Sequence, residues 1–420
     1  MLILLVLLIF FAALGIPLAF AIGASCVTYI LIYAPTFITM LPQRVWNGAY
    51  SELMIAMPLF MLAGELMNTG GITQRIINFC MELLRPIRGG LGEVNIVASM
   101  IFGGISGSSV ADTSALGSIL IPAMEKEGYP KEFATAVNST SGCLGIMIPP
   151  SIPLILFGST AGVSISDLFV ATIVPGILMG CALMLVSYVI CVRRKYGKTV
   201  ARAKFAEMMK ALYEAKWAIM VPVIVLGGIY GGITTPTEAG AIAVVYALFV
   251  EVFITRSMTR KLFFEIIKSS VRINAAIFLV VASATALGQI MMYYNLSAAV
   301  LDTIMGISTS KVVIMALILV VLLILGTFLE AAAIIMIVTP LLLPVINAIG
   351  VDPVHFGIIM LTSFAVGGQT PPVGMTLFVG ASIAKISIER LSIASIPYIL
   401  TLVVMLVIIA FVPQLSLCLI

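Results

Sequence analysis

Thr140-Ser141-Gly142-Cys143-Leu144-Gly145-Ile146-Met147-Ile148-Pro149-Pro150 lies without a gap over Thr362-Ser363-Phe364-Ala365-Val366-Gly367-Gly368-Gln369-Thr370-Pro371-Pro372, 222 positions later. In the same register Pro122 meets Pro344, Gly128 meets Gly350, Gly158 meets Gly380 and Pro175 meets Pro397. Apolar composition aligns Leu with Ile by chance, but not Pro, Gly and Thr-Ser pairs at fixed spacing. The chain therefore reads as an internal duplication. Each copy holds a helix that must break at Gly-x-x-x-Pro-Pro, because proline lacks a backbone donor and disfavours helix in the residue before it.

The surroundings of those breaks are apolar. Of 420 residues 61% are apolar and 10% charged, with mean hydropathy +1.22, against about 25% charged in a soluble protein. That is too little charge to clothe a water-facing surface, which excludes a soluble enzyme, a nucleic-acid binder and a disordered scaffold. In a bilayer every backbone polar group must be satisfied internally, so the fold class is an all-α polytopic membrane protein. The six cysteines form no CxxC pair and His355 is the single histidine, so neither zinc nor thiol redox chemistry is expected. No charge occurs before Arg44, so residues 2–34 read as a retained first span rather than a cleaved leader. A straight helix of that length reaches about 50 Å, against a hydrocarbon core of about 30 Å, which predicts tilt or a kink at Gly15-Ile16-Pro17.

Thirteen of the 22 basic residues fall within 193–216 and 256–272, and the positive-inside rule places both segments in the cytoplasm. Phe205, Met208, Met209 and Leu212 recur at helical spacing, so 192–216 is expected to be an amphipathic cytoplasmic helix joining two halves. Residues 1–191 form the first repeat, with a re-entrant hairpin at about 89–125 and a broken helix at about 133–162. Residues 217–420 form the second, with a hairpin at about 311–347 and a broken helix at about 355–384. A full span closes each copy (168–191; 390–412). Parity of the spans sends the first hairpin in from the cytoplasm and the second from outside, so the repeats are inverted. Arg75, Arg85, Arg88, Lys126, Lys131, Lys385 and Arg390 then fall inside; Arg44 and Lys311 fall outside.

Inverted repeats with paired broken helices mark secondary transporters, whose site lies at the midplane between the repeats. Half-helix N-termini offer partial positive charge to an anion, and unwound carbonyls offer hard oxygen ligands to a small cation. The candidate ligands are Ser106, Ser108 and the carbonyls around Gly145, Ile148 and Pro150 in the first copy. In the second they are Gly326, Thr327 and the carbonyls around Gly367, Thr370 and Pro372. Oxygen donors without thiolate or imidazole suit sodium. Ser109, Thr113, Ser139, Thr140, Gln369 and Thr376, with Ser108, are candidates for holding an anionic substrate. Asn138 and Glu65 are weaker ones. Asp112 and Glu330 sit at the two tips, where an ionised carboxylate costs about 2.5–3.5 kcal/mol on insertion scales. Two rival classes are weaker. Gly104-Ile105-Ser106-Gly107 matches the GxSG of intramembrane serine proteases, but the sole histidine lies in a polar loop at a membrane edge. A passive channel needs no pair of hairpins.

Met57-Pro58-Leu59-Phe60-Met61-Leu62-Ala63-Gly64-Glu65-Leu66-Met67, Gly103-Gly104-Ile105-Ser106-Gly107-Ser108-Ser109-Val110-Ala111-Asp112-Thr113 and Ile148-Pro149-Pro150-Ser151-Ile152-Pro153 carry a family resemblance. Thr235-Pro236-Thr237-Glu238-Ala239-Gly240 and Gly368-Gln369-Thr370-Pro371-Pro372-Val373-Gly374 complete it. Together they resemble the large membrane subunit of tripartite ATP-independent periplasmic (TRAP) transporters, of the DctM/SiaM kind, along essentially the whole chain. The resemblance implies an elevator-type, sodium-coupled importer of C4-dicarboxylate or sialic acid in a prokaryotic inner membrane, not an enzyme and with no organic cofactor. It implies two partners, a small four-helix membrane subunit and a periplasmic substrate-binding protein. It also implies that Ser106, Ser108, Gly145, Ile148 and Pro150 hold one sodium ion, and that residues around Gly326, Thr327, Gly367, Thr370 and Pro372 hold a second. The alternative is a proton-coupled organic-anion carrier working without a binding protein.

Overall fold

The computed structural model describes residues 2–420 apart from 51, 70, 85 and 198–203. Arg85, Lys198, Arg202 and part of the expected connecting helix therefore lie outside the described residues. Among those described, every regular element is helical, and eight helical stretches are long and apolar enough to cross a membrane.

The chain opens with α1 (Leu2–Ala13) and α2 (Leu18–Tyr33), parted where Gly15 takes a left-handed φ of +77° and Pro17 starts the next helix. Short α3 (Leu41–Ala49), α4 (Ala56–Thr69) and α5 (Ile72–Leu84) follow. Next come α6 (Gly90–Ser106) and α7 (Ser109–Lys126), separated by two residues and forming the first hairpin. The first broken helix is α8 (Lys131–Ser141), one turn of α9 (Leu144–Met147) and α10 (Ile152–Ala161). The full span is α11 (Ile165–Ala171) running into α12 (Ile173–Arg194). After the connection come α13 (Phe205–Tyr230), α14 (Pro236–Phe249), α15 (Arg260–Tyr293) and α16 (Leu296–Ile307). The second hairpin is α17 (Lys311–Phe328) and α18 (Ala331–Ala348), and the second broken helix α19 (Pro353–Gly367) and α20 (Met375–Ala384). The span α21 (Ile388–Phe411) and one turn of α22 (Gln414–Leu417) end the chain.

Three elements differ from the sequence reading. The amphipathic stretch from Phe205 is not a separate surface helix but the first turns of α13, which runs unbroken through Trp217 and Pro222 to Tyr230. No glycine lies between 205 and 226 to stop it, and Trp217 accepts a bond on its carbonyl from Tyr246 Oη of α14 at 3.1 Å. The basic segment 256–272 likewise feeds straight into α15, which begins at Arg260 and is capped by Thr259. Helix α16 was not foreseen.

Helices α1–α5 and α13–α15 pack largely on one another, and α6–α12 with α17–α22 form a second group. Inside that group the partners are reciprocal. Hairpin arm α7 packs on α20, and hairpin arm α18 on α10; α8 packs on α21, and α11 on α19. Helix α21 runs the depth of this group, about 36 Å at 1.5 Å per residue. Its start pairs Arg390 with Glu132 at 4.0 Å, beside the base of the first hairpin, where Lys131 meets Glu125 at 3.7 Å. Its end offers the Ala410 carbonyl to His355 Nε2 at 3.4 Å, beside the base of the second hairpin, where Lys311 donates to the Gly350 carbonyl at 2.9 Å. The two hairpins thus start from opposite ends of one helix. The first broken helix is the centre of the molecule: 94% of its apolar stretch is buried, against 28% for α13.

Candidate functional site

Glycine sets how closely hairpins and breaks approach. A methyl group on Gly103 of α6 would stand 2.8 Å from the Gly145 Cα, and one on Gly367 would stand 2.5–2.8 Å from the backbone of Gly326. At the first tip Gly107 turns with φ +61°, and the Pro150 carbonyl lies 2.8 Å from where its Cβ would be. The tip of each hairpin therefore lies on the break of its own copy.

The first tip is a small polar knot. Ser108 N–H donates to Ser106 Oγ at 3.1 Å, and Ser108 Oγ caps α7 by accepting from Ala111 N at 3.4 Å. Ser106 Oγ donates to Asp112 Oδ1. Asp112 is fully buried, its Oδ2 has no hydrogen-bond partner, and that oxygen lies against Gly145. An orphaned carboxylate oxygen among unwound carbonyls and a serine hydroxyl is a donor set that fits a hard monovalent cation.

The second tip is more open. Pro371, Pro372 and Glu330 are exposed and Thr327 half-buried, whereas Pro149 and Pro150 are buried. Thr327 Oγ1 bonds back to the Ile324 carbonyl at 2.8 Å and Thr370 Oγ1 to the Val366 carbonyl at 2.8 Å. The difference comes from covering helices: Gly64 of α4 and Pro222 of α13 close over Ser106 and Gly104, while α15 packs on the second hairpin through α18.

Both tips and both breaks open on one cavity of about 120 Å³. Its walls include Gly107, Ser108 and Ser109 from the first tip, Gly326 and Glu330 from the second, and Gly368 and Thr376 from the second break. Four helices begin at it: α7 at Ser109, α10 at Ile152, α18 at Ala331 and α20 at Met375. Each such end carries about half a positive elementary charge and free N–H groups, which attract an anion. Helices α6, α17 and α19 end beside it, and the partial negative charge of a helix C-terminus attracts cations. Among the described residues, no Lys or Arg lines the walls. The volume is below the roughly 300–1,000 Å³ of sites for drug-sized ligands, so a bulky acid enters only if the walls part.

Of the residues expected to meet substrate, Ser108, Ser109 and Thr376 line the cavity, the last bonding the Gly368 carbonyl at 2.9 Å. Gln369 is buried beside it with both amide atoms unpartnered. Thr113, Ser139 and Thr140 stand farther back among α7, α8 and α20. There Thr113 Oγ1 bonds the Ser109 carbonyl at 2.8 Å, Thr140 Oγ1 bonds Ala136 at 2.6 Å, and Ser139 touches Gly380. Asn138 steadies the first hairpin by donating to the Thr113 carbonyl at 2.9 Å, and Glu65 ties α4 to α15 by accepting from Ser269 at 3.1 Å. Met61 of α4 and Ile277 of α15 complete the cavity from outside the hairpins and broken helices. Single apolar residues on apolar helices gave no signal for them. His355 lines a different cavity, with Nδ1 3.1 Å from Ser416 Oγ, so it is no base for Ser106.

This fold and site define a multi-pass membrane transporter. Similar solved structures are the YdaH transporter of Alcanivorax borkumensis, with a TM-score of 0.66 at 14% identity over 97% of this chain and 98% of that one, and MtrF of Neisseria gonorrhoeae, with 0.61 at 13% over 89% and 83%. Residues 5–415 match the family described as "Tripartite ATP-independent periplasmic transporter, DctM component". The chain is 38% identical to the sialic acid TRAP transporter large permease protein SiaM of Vibrio cholerae, covering 96% of this chain and 95% of that one. It is 34% identical to the C4-dicarboxylate large permease DctM of the same organism, over 96% and 93%. It is 40% identical to the isethionate permease DctMQ of Oleidesulfovibrio alaskensis over 96% of this chain, and spans 64% of that relative's length. The chain belongs to the DctM component family of tripartite ATP-independent periplasmic transporters, and its role is transport rather than catalysis.

Proposed function

We propose that the chain is the large subunit of a sodium-coupled importer of small organic anions, in the inner membrane of a prokaryote. In this reading a periplasmic binding protein delivers the anion and a small membrane subunit completes the complex. The single observation that carries it is the cavity on which both hairpin tips and both breaks converge, with helix N-termini aimed at an anion and helix C-termini and Asp112 Oδ2 offered to cations. Relatives named for sialic acid, C4-dicarboxylate and isethionate share a carboxylate or sulfonate. That is the group four helix N-termini attract without a basic side chain, provided bound sodium offsets the remaining charge. The cavity size favours a C4-dicarboxylate or a comparably small acid.

Reciprocal packing of the copies, and hairpins that start from opposite ends of α21, support an inverted repeat. In the elevator mechanism α6–α12 and α17–α22 move as a body against α1–α5 and α13–α15, with Met61 and Ile277 on the stationary wall. Bound sodium at Ser106, Ser108, Gly145, Ile148 and Pro150 would close the first tip on its break and complete the anion site beside it; Gly326, Thr327, Gly367, Thr370 and Pro372 would do so in the second copy. A proton-coupled carrier is the second reading, favoured by the unpartnered Asp112 carboxylate oxygen. The test is uptake of radiolabelled C4-dicarboxylate and sialic acid into proteoliposomes holding the chain and its small subunit. The cognate binding protein and an inward sodium gradient are each supplied and withheld. Uptake requiring both supports the first reading; uptake driven by a proton gradient alone supports the second.

A further inference from the structure

A second cavity, of about 300 Å³, lies on the same boundary between the two helix groups. Asn47 of α3 with Thr285 and Gln289 of α15 line one wall, and Ser159 and Thr160 of α10 line the other. Along α15, Gly288 of this cavity stands about 16 Å beyond Ile277 of the central one, at 1.5 Å per residue. That is the end of α15 away from its basic start, and so the outer side under the positive-inside rule. Trp46, Tyr50 and Tyr293 are 69%, 81% and 60% exposed, as befits the aromatic belt of a membrane–water interface at this level.

The walls are polar. Thr285 and Thr160 turn their hydroxyls back to the Val281 and Leu156 carbonyls at 2.9 and 2.8 Å. Among the described residues, the side chains of Asn47, Ser159 and Gln289 make no hydrogen bond. Two amide NH2 groups and one hydroxyl are thus left to donate to a ligand. Arg44 adds charge: it stands one turn before Asn47 on α3 and lines a neighbouring cavity of about 110 Å³ that shares Gln289. The opposite wall holds the last turn of α10, whose carbonyl end repels an anion, so negative charge is drawn to the α3–α15 wall. That wall is firm, since a methyl group on Gly48 would stand 2.5 Å from Thr285 Oγ1.

We propose, on the transport reading above, that this cavity is an outer binding site for the transported organic anion. Asn47 and Gln289 hold the carboxylate, with Ser159 opposite, before the anion passes to the central cavity. At about 300 Å³ the outer cavity reaches the size of small-molecule sites, which the central one at about 120 Å³ does not. Amides and a hydroxyl donate to a carboxylate without a coupling cation, so the anion is held here in the absence of sodium. Helix α10 begins at the central cavity and ends at this one, so one shift of the group that carries it alters both.

The test uses Met292→Cys, an exposed apolar position in the same cavity, in a chain whose exposed Cys181 and Cys418 are replaced by Ser. The chain is reconstituted with its small subunit. Labelling from outside by a membrane-impermeant methanethiosulfonate is timed in choline chloride with and without succinate, and with and without sialic acid. Sodium-driven uptake of the same two acids, with the binding protein supplied, is measured in the same vesicles. The acid that is taken up is expected to slow labelling several-fold without sodium. Asn47→Leu and Gln289→Leu should each raise its concentration for half-protection several-fold, and Asn47→Asp should raise it further by adding a like charge. Should Gln289→Leu not fold, Ser159→Ala takes its place. Labelling that the transported acid leaves unchanged overturns the proposal alone, as does protection that these variants leave intact or that appears only with sodium. A parent chain that takes up neither acid overturns the transport reading and this proposal with it.

Discussion

At the scale of single residues, the site depends on what is missing at Gly145 and Gly367. A methyl group at 145 would collide with the Asp112 carboxylate, and one at 367 would enter the backbone of Gly326. Overpacking of this kind costs about 1–3 kcal/mol. Gly145→Ala and Gly367→Ala are each expected to lower the melting temperature in detergent by several degrees and to cut uptake at least tenfold. Gly227→Ala, with nothing within 4 Å of its Cβ position, should do neither. Ser108→Ala removes the α7 cap and a proposed sodium ligand. It is expected to raise the sodium concentration for half-maximal uptake several-fold, measured in proteoliposomes across a sodium series. The residues at the tips were legible because a buried Ser, Gly or Asp in an apolar chain demands a reason. Thr113, Ser139 and Thr140 drew the same suspicion but are placed behind the cavity: the hydroxyls of Thr113 and Thr140 bond back to carbonyls of their own helices, and Ser139 stands against Gly380 with its hydroxyl unpartnered. Sequence cannot tell a hydroxyl that turns back on its own helix from one that faces a ligand.

At the scale of elements, the prolines do what their chemistry requires: α9 stops before Pro149-Pro150, and α19 stops before Pro371-Pro372. Replacing Pro149 and Pro150 together by Ala restores the missing donors and lets α9 join α10. The expected result is a chain that still inserts and purifies but shows uptake at background, with loss of the sodium-specific rise in melting temperature. The hairpins and broken helices were legible to within a few residues, since glycine, proline and polar tips punctuate them. Continuity was not. Basic residues at Lys210, Lys216, Lys261 and Lys268 suggest water-exposed segments, yet α13 and α15 carry them as helix into the apolar region without a stop signal. The asymmetry between the copies was also hidden. Matching motifs predict matching sites, and only the packing of α4 and α13 over the first tip makes one break buried and the other exposed.

At the scale of the whole molecule, apolar composition conveyed the membrane class, but the walls of the cavity come from the hairpins and broken helices together with α4 and α15. Met61 and Ile277 share this cavity with residues from about 50 to about 315 positions away in the chain. No local pattern encodes such meetings; they follow from how the two helix groups pack. The central claim is that this cavity is where substrate crosses, between a moving group and a fixed one. The direct measurement uses Met61→Cys with Ala332→Cys, in a chain whose exposed Cys181 and Cys418 are replaced by Ser, joined by a short bifunctional thiol reagent. Uptake into proteoliposomes is then followed before cross-linking, after it, and after the link is cleaved. The account predicts uptake near that of the parent chain before, background uptake while linked, and recovery on cleavage. Undiminished uptake in chains shown by gel shift to be fully cross-linked would contradict it.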